Sequence, residues 1–228
     1  MRVRGWSTRH SNPQFHQINE FVQRVKNIVR DQNHKGHIMK HLIIYTHLNP
    51  DSFTKAVADE VKRVSELKGH QIKVVDLYVD GFDPVLQFPD IQYSFMGGDA
   101  PNDVESYQEL ITWADHLTFV YPLWWQQMPA MLKGFIDRVF TNGFAYMVGQ
   151  NGPEGMLAEK SVQLIINSGT PNEMLESMGF QAALLKVNEE GIFKFCGMRV
   201  NSTFFGNITM STDSERKEYL KRIDNIIG

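Results

Sequence analysis

The 228-residue sequence contains a single cysteine, Cys196, so it can form neither an internal disulfide nor a metal site that needs several thiolates. No apolar run approaches the roughly 20 residues that a membrane-spanning helix requires. Neither sign of charge dominates, because 23 basic residues stand against 26 acidic ones and the pI is about 6.2. The sequence therefore has no basic footprint for nucleic acid. These absences predict a cytoplasmic protein that neither inserts into a membrane nor binds nucleic acid.

Two common nucleotide-binding signatures are also missing. The loop after the first predicted strand has no Gly-Lys-Ser/Thr Walker sequence and no Gly-x-Gly-x-x-Gly fingerprint. What remains is an ordinary globular composition, with 42% hydrophobic and 21% charged residues. A chain of this length suits one sizeable α/β domain better than two.

The first 38 residues differ from the rest and are treated as an N-terminal extension of a domain at 39–228. The stretch "MRVRGWSTRHS" is rich in arginine, and the first carboxylate is Glu20. A helix capped by Asn12 is predicted from Pro13, with apolar residues on one face. Three interpretations stay open: an amphipathic helix that docks on the body or on a partner, a mistaken upstream start with Met39 as the true first residue, and an organellar transit peptide.

From Met39 onward, short apolar runs typical of buried strands alternate with segments of helical periodicity. The predicted strands are 41–45, 72–77, 116–121, 161–168 and 198–205. The predicted helices are 53–67, 103–114, 128–140, 179–193 and 212–227, and 80–102 is predicted to be a loop. Five strands that alternate with helices predict an α/β fold, a parallel sheet with helices on both faces. Ligands of such sheets bind at the carboxyl ends of the strands.

The loop after the first predicted strand offers polar groups beside a helix N-terminus. His47, Ser52 and Thr54 lie there, and the first turn of the following helix has free N–H groups at its positive dipole end. This pattern predicts an anion site. The alternative is an ordinary capped helix beside a solvated histidine.

The loops after the third and fourth predicted strands complement that anion site. Trp124 and Trp125 follow the third strand, where they either form a wall for a planar ring or fill the core or a subunit contact. In "NSGTPNEM" (167–174), Gly169 allows close backbone approach and its neighbours offer hydroxyls. Together the three loops predict a site for a flat, phosphorylated cofactor.

The stretch "PLWWQQMPAMLKGFIDRVFTNGFAY" (122–146) resembles the signature of the NAD(P)H:quinone oxidoreductase family, which includes DT-diaphorase and bacterial modulators of drug activity. The resemblance extends to "HLNPDSF" (47–53), "DLYVDGFDPVL" (76–86) and "FCGMRV" (195–200), and covers about 40–228. It implies a flavodoxin-like three-layer sandwich and a flavin-dependent homodimer. The implied reaction is a ping-pong two-electron transfer from NADH or NADPH to a quinone or another flat electrophile, such as an azo or nitro compound.

The resemblance also implies roles for individual residues. The flavin phosphate would be held by His47, Ser52, Phe53 and Thr54; the isoalloxazine would be bordered by Pro122, Leu123, Trp124 and Trp125; and its pyrimidine end would meet Ser168, Gly169 and Thr170. Trp125, Gly169 and Thr170 are the expected catalytic residues, the last two through N–H groups that stabilise charge on the reduced ring. The few hydroxyls in the phosphate loop favour FAD over FMN as cofactor.

Two departures from the family pattern concern the second substrate and the charge on the ring. Gln126 and Gln127 stand where the family has an aromatic residue and a glycine, which affects the choice of acceptor. In animal relatives a Tyr and a His handle charge on the reduced flavin, whereas Leu175 and Gln181 stand at these positions here. That relay therefore cannot be carried over to this chain.

Two other functions compete with an enzyme. Relatives of the family serve as flavin-bearing ancillary subunits of potassium efflux systems, and this is the alternative function. A phosphoacceptor response regulator is excluded, because it needs an aspartate where Tyr121 and Pro122 stand. Among the remaining residues, Asp137 and Arg138 are predicted to form a surface or dimer salt bridge, and His116 is predicted to be solvated.

Overall fold

The computed structural model describes residues 38–150 and 152–227 of the chain. Its centre is a five-stranded parallel sheet, and two further strands form a separate antiparallel hairpin. The sheet contains β1 (Lys40–Tyr45), β2 (Gln71–Asp76), β3 (His116–Pro122), β6 (Ser161–Asn167) and β7 (Arg199–Phe205), and the hairpin contains β4 (Tyr146–Gly149) and β5 (Gly152–Gly155). The strand order β2-β1-β3-β6-β7 places a topological switch point between β1 and β3. The predicted five-stranded parallel sheet is confirmed.

Helices cover both faces of the sheet. They are α1 (Phe53–Leu67), α2 (Phe88–Met96), α3 (Asn102–Trp113), α4 (Ala130–Val139), α5 (Asn172–Ser177), α6 (Phe180–Leu184), α7 (Asp213–Lys221) and α8 (Ile223–Ile226), and α6 continues into a π-helix (Leu185–Lys194). Alternate residues of each strand point to opposite faces. On β1, Leu42 and Ile44 therefore join the core beneath α3, α4 and the π-helix, whereas Ile43 and Tyr45 join the core beneath α1 and α8. The predicted three-layer sandwich is confirmed.

Several element predictions need correction. The helix α2 lies inside the segment predicted to be a loop, and the hairpin β4–β5 was not predicted. The predicted helix at 179–193 is α-helical only at its start and then π-helical, and the predicted helix at 212–227 is broken at Arg222. The helix predicted from Pro13 lies outside the described residues. Within the described part of the chain, no helix is long and apolar enough to cross a membrane.

A buried ion-pair cluster joins α4 to α2 and α3. The Arg138 guanidinium donates to Asp90 Oδ2 at 3.0 Å and to Asp103 Oδ2 at 2.6 Å, and it also donates to the Asp83 carbonyl at 2.8 Å. The prediction of a surface or dimer salt bridge is therefore wrong for Arg138, because α2 covers this side of α4. It holds for Asp137, which pairs with Lys133 at the surface.

A chain of hydrogen bonds crosses the amino edge of the sheet. It runs from Ser161 to His116 (2.8 Å), Thr118 (3.3 Å), His41 (2.8 Å) and Ser65 (2.8 Å). His116 is thus bonded and half-buried rather than solvated, so that prediction is wrong. Burial lowers the pKa of His41 to about 2 and that of His116 to about 4, so both rings are neutral near pH 7.

Candidate functional site

The helix α1 begins directly at the carboxyl edge of the sheet. Ser52 is its N-cap, and the Ser52 Oγ accepts from the Lys55 N–H at 3.1 Å. The first turn contains no acidic side chain, so the free N–H groups and the positive dipole end are not neutralised there. This part of the prediction, a ready anion site after β1, agrees with the geometry.

His47 lies between this helix start and the tryptophan pair. Its ring meets the Trp124 ring edge-on, with centroids 5.8 Å apart, and its Nδ1 accepts from the Asn49 N–H at 3.0 Å. The Tyr45 hydroxyl donates to the His47 carbonyl at 3.2 Å, and burial raises the pKa of Tyr45 to about 12, so this donor keeps its proton. The loop after β1 and the loop after β3 are therefore in contact.

The tryptophan pair occupies a tight turn that is closed by two backbone hydrogen bonds of 3.0 Å between Trp124 and Gln127. Trp125 and Gln126, the two central residues, have φ values of 51° and 56°, a left-handed conformation that usually requires glycine or asparagine. The Trp125 side chain is fully exposed, and Trp124 is 37% exposed. Neither tryptophan fills the core of this chain, which leaves the ring wall and the subunit contact as their possible roles. Backbone strain of this kind concentrates at functional sites.

The loop after β6 is joined to the segment after β7 through the backbone, because the Ile208 N–H donates to the Ser168 carbonyl at 2.9 Å and the Asn207 N–H donates to the Thr170 carbonyl at 3.1 Å. Ser168 is buried, and its Oγ accepts from the Thr170 N–H at 3.0 Å. Gly169 is exposed, and a Cβ atom at this position would lie only 2.8 Å from the Thr209 Oγ1. Of the two predicted N–H donors, the Thr170 group already has a partner within the loop. Gly169 is thus the better placed of the two.

Phe53 and Thr54 lie deeper than the prediction of direct cofactor contact implies. Phe53 packs its ring against Phe205 and Tyr219, at 6.3 Å between centroids in both cases. Thr54 is buried, and its Oγ1 accepts from the Asn167 Nδ2 at 3.2 Å. Both residues shape the wall of the candidate site from within, and their contact with a cofactor stays a prediction.

Three polar residues at this edge were missed by the sequence analysis. Within the described part of the chain, the buried atoms Thr46 Oγ1 and Asn167 Oδ1 have no hydrogen-bond partner. Arg216 lies nearby on α7 and donates to the Ser211 Oγ at 3.0 Å and to the Ile208 carbonyl at 3.2 Å. Asn167 is the last residue of β6 and Thr46 directly follows β1, each after a run of buried apolar residues, and that interruption is the signal that could have revealed them.

The donor set at this edge fits a flavin. A helix N-terminus and His47 provide donors for an anionic tail, the exposed indoles of Trp124 and Trp125 provide a flat apolar surface, and the exposed backbone at Gly169 can meet the polar rim of a ring. The buried polar atoms beneath the loops add to the polar character of this edge.

Comparison with known proteins identifies the family. Residues 39–227 match the family described as having the flavodoxin-like fold. The chain belongs to this family. Among curated proteins, an uncharacterized NAD(P)H oxidoreductase of Haemophilus influenzae is 35% identical over 185 residues, which are 80% of this chain and 91% of the relative. This relative confirms the resemblance at the level of NAD(P)H oxidoreductases.

Two solved structures give the same result. The protein Smu.1420 of Streptococcus mutans UA159 is 39% identical, with a TM-score of 0.73 over 83% of this chain and 98% of the other. An NAD(P)H:quinone oxidoreductase from Methanothermobacter marburgensis is 29% identical, with a TM-score of 0.75 over 84% of this chain and 95% of the other. The flavodoxin-like fold of the present chain is thereby confirmed, and so is its resemblance to the quinone oxidoreductase family.

Proposed function

We propose that this protein is a flavin-dependent NAD(P)H:quinone oxidoreductase. The observation that carries the proposal is the pair of exposed tryptophans on a left-handed turn, between a helix N-terminus and a glycine loop at the carboxyl edge of the sheet. A bound flavin would supply the redox chemistry, taking a hydride from NADH or NADPH and giving it to a quinone or another flat electrophile. The chain supplies binding, orientation and fixed dipoles.

The proposed roles follow from the contacts described above. The N–H groups at the start of α1, with Ser52 and His47, would bind the anionic tail. Pro122, Leu123 and the two indoles would border the ring and help to orient a second planar substrate. The Gly169 N–H would stabilise the negative charge that grows at the pyrimidine end on reduction.

The same contacts favour FAD over FMN. A terminal phosphate is usually surrounded by several hydroxyl donors, but here only Ser52 and Thr54 supply hydroxyls near the start of α1, and Thr54 is buried. A pyrophosphate, which relies more on backbone N–H groups and cations, suits this loop better.

The single cysteine, Cys196, is free and buried, which fits a cytoplasmic location.

We also propose a homodimer. Trp125 projects from the surface, and a cavity of about 690 Å³ lies between α4, β4 and the π-helix, with apolar walls that include Phe140, Tyr146 and Phe195. An exposed aromatic side chain and an apolar cavity on the same subunit are complementary surfaces for a two-fold pair. The potassium-efflux alternative has no comparable observation in its favour, because none of the relatives above is named as such a subunit.

The proposal is tested with purified protein and added flavin. We expect apo-protein to bind FAD or FMN in a titration, and NADH or NADPH to bleach the flavin absorbance in stopped flow before a quinone restores it. Trp125→Ala should reduce quinone turnover about fivefold, since one aromatic stacking partner contributes about 1 kcal/mol. Trp113→Phe serves as the control, because α3 ends at the opposite edge of the sheet. Protein that binds neither flavin, or bound flavin that neither nicotinamide reduces, would contradict the proposal.

A further inference from the structure

Asn167, the last residue of β6, touches all three loops of the candidate site. Its carbonyl accepts from the Leu123 N–H of the tryptophan loop at 2.7 Å, and its side-chain Nδ2 donates to the Thr54 Oγ1 in the first turn of α1 at 3.2 Å. In the sheet it pairs with Pro122 on one side and with Phe205 on the other. The side chain is 95% buried, since only 5% of the residue is exposed.

A buried amide at this position is costly for the fold. The preceding residues Leu164, Ile165 and Ile166 are apolar and fully buried, so an apolar residue would continue the strand without the cost of removing an amide from water. Asn167 recovers part of that cost through Thr54, while its Oδ1 has no partner in the described part of the chain. Packing alone therefore does not account for an asparagine here.

The hydrogen bond joins the two ends of the site. Thr54 belongs to the helix turn whose N–H groups would bind the anionic tail, whereas Asn167 leads into the 168–170 loop and its carbonyl accepts from the Leu123 N–H. A second contact, between the rings of Phe53 and Phe205, also joins α1 to the end of the sheet. A ring contact tolerates sliding, but a hydrogen bond between two buried side chains fixes both distance and direction.

We infer that Asn167 is a positioning residue, which holds the phosphate-binding start of α1 at a fixed distance from the two loops that border the flavin ring. The inference rests on the proposed function. Asn167 acts through Thr54 and through the adjoining loop rather than by touching the reacting atoms. A long ligand that is held at both ends gains affinity from a preformed spacing, and hydride transfer needs the reacting atoms within about 3.5 Å.

The inference predicts that loss of the hydrogen bond from either side has the same effect. Asn167→Ala and Thr54→Val should each weaken flavin binding to apo-protein about fivefold, the equivalent of one net hydrogen bond. Each should also slow the reduction of bound flavin in single-turnover stopped flow. The exchange variant Thr54→Asn/Asn167→Thr keeps one amide and one hydroxyl at the contact, and we expect it to restore flavin affinity and reduction rate to about wild-type values.

The matched control is Asn188→Ala, which removes another buried amide, on the π-helix. All variants are also unfolded in urea as apo-protein, and amide hydrogen exchange is followed at 53–56. Asn167→Ala should speed exchange in this first turn of α1 and weaken flavin binding, whereas Asn188→Ala should have neither effect.

The outcomes separate the inference from the proposed function. Suppose that wild-type protein binds a flavin that NADH or NADPH reduces, and that Asn167→Ala has the same flavin affinity and the same amide exchange rates at 53–56. The positioning role is then refuted and the proposed function stands. An exchange variant that stays as weak as the single variants also overturns the role, since the pair would then not act through its hydrogen bond. Wild-type protein that binds no flavin overturns both.

Discussion

At the scale of single residues, Arg138 shows how a charge is accommodated in the interior. The residue is 4% exposed and its partner Asp90 is 2% exposed, so this ion pair is almost fully removed from water. Burial raises the pKa of Asp103, but the hydrogen bond from Arg138 lowers it, and the net shift is downward. A buried pair adds little net stability, yet removal of one partner leaves an uncompensated charge.

Arg138→Met should therefore lower the free energy of unfolding by about 3 kcal/mol or more, because Asp90 would remain buried without its cation. Asp90 also accepts from the Gln87 N–H, so α2 should be the first helix to loosen. The measurement is urea unfolding of apo-protein, with Lys133→Ala as a control that breaks an exposed pair and should cost less than about 1 kcal/mol. Equal losses for the two variants would show that the Arg138 cluster is not the anchor described here.

The positions of the predicted site residues could be anticipated where topology alone decides them. His47, Trp124 and Gly169 follow β1, β3 and β6, and parallel strands necessarily bring such loops to one edge. The Asn167–Thr54 contact spans 113 positions in sequence and depends on side-chain directions in the fold, so no local pattern indicates it. The exposure of Trp125 was equally hidden, because a core tryptophan and a surface one look alike in sequence.

At the scale of elements, the hydrogen-bond chain at the amino edge joins β6, β3, β1 and α1 through two neutral histidines. His41 and His116 lie edge to face, with ring centroids 4.9 Å apart, so a proton on either ring would face the other. Burial is the largest cause of both lowered pKa values, and His70 and, for His116, Arg199 lower them further.

These pKa values predict how stability depends on pH. The unfolded chain takes up a proton on each ring below about pH 6.5, whereas the folded chain does not until about pH 4 for His116 and about pH 2 for His41. The free energy of unfolding that comes from burying the two neutral rings is therefore fully present above pH 6.5. It is lost as the pH falls below that value. Near pH 5 the loss approaches about 1.4 kcal/mol per pH unit for each ring.

The measurement is the free energy of unfolding from pH 7.5 down to 5 in wild type and His41→Gln. We expect the variant to have lower stability at pH 7.5 but a shallower dependence on pH, since one of the two titrating rings is gone. Parallel curves for the two proteins would refute the assignment of His41 as a neutral buried ring.

The elements themselves were predictable to different extents. Strands such as β1 and β3 were found because both faces of a buried parallel strand are apolar, which leaves a short continuous run. The helix α2 was missed because its anchor, Arg138, lies 48 residues further along the chain. The π-helical part of the predicted helix at 179–193 was missed because the spacing of apolar residues does not show whether each N–H bonds to the carbonyl four or five residues before it.

At the scale of the whole molecule, the question is what covers Trp125 and the apolar cavity. Phe195 lines that cavity, is 40% exposed, and meets the Tyr146 ring at 5.1 Å between centroids. If two copies of the chain bury this surface, a carboxylate there would be removed from water without a partner.

We therefore expect wild-type protein to sediment as a dimer, and Phe195→Asp to weaken the dimer at least tenfold, the effect of about 1.4 kcal/mol or more. Leu67→Asp is the control, because Leu67 is apolar and well exposed at the end of α1, away from the cavity. Sedimentation equilibrium over a range of concentrations measures both. A monomeric wild type, or equal weakening by the two variants, would contradict the proposed homodimer.

In the hydrogen-bond chain at the amino edge, each group has a fixed role as donor or acceptor. The Ser65 Oγ gives its only proton to the Val61 carbonyl at 2.8 Å, so it can only accept from His41. His41 must then carry its proton on Nδ1, Thr118 must donate to the opposite nitrogen, and His116 must be the Nε2–H tautomer. The Val61 carbonyl on α1 thus determines the tautomers of His41 and His116, which lie on different strands. Without the Ser65 hydroxyl, both rings could adopt the opposite tautomer.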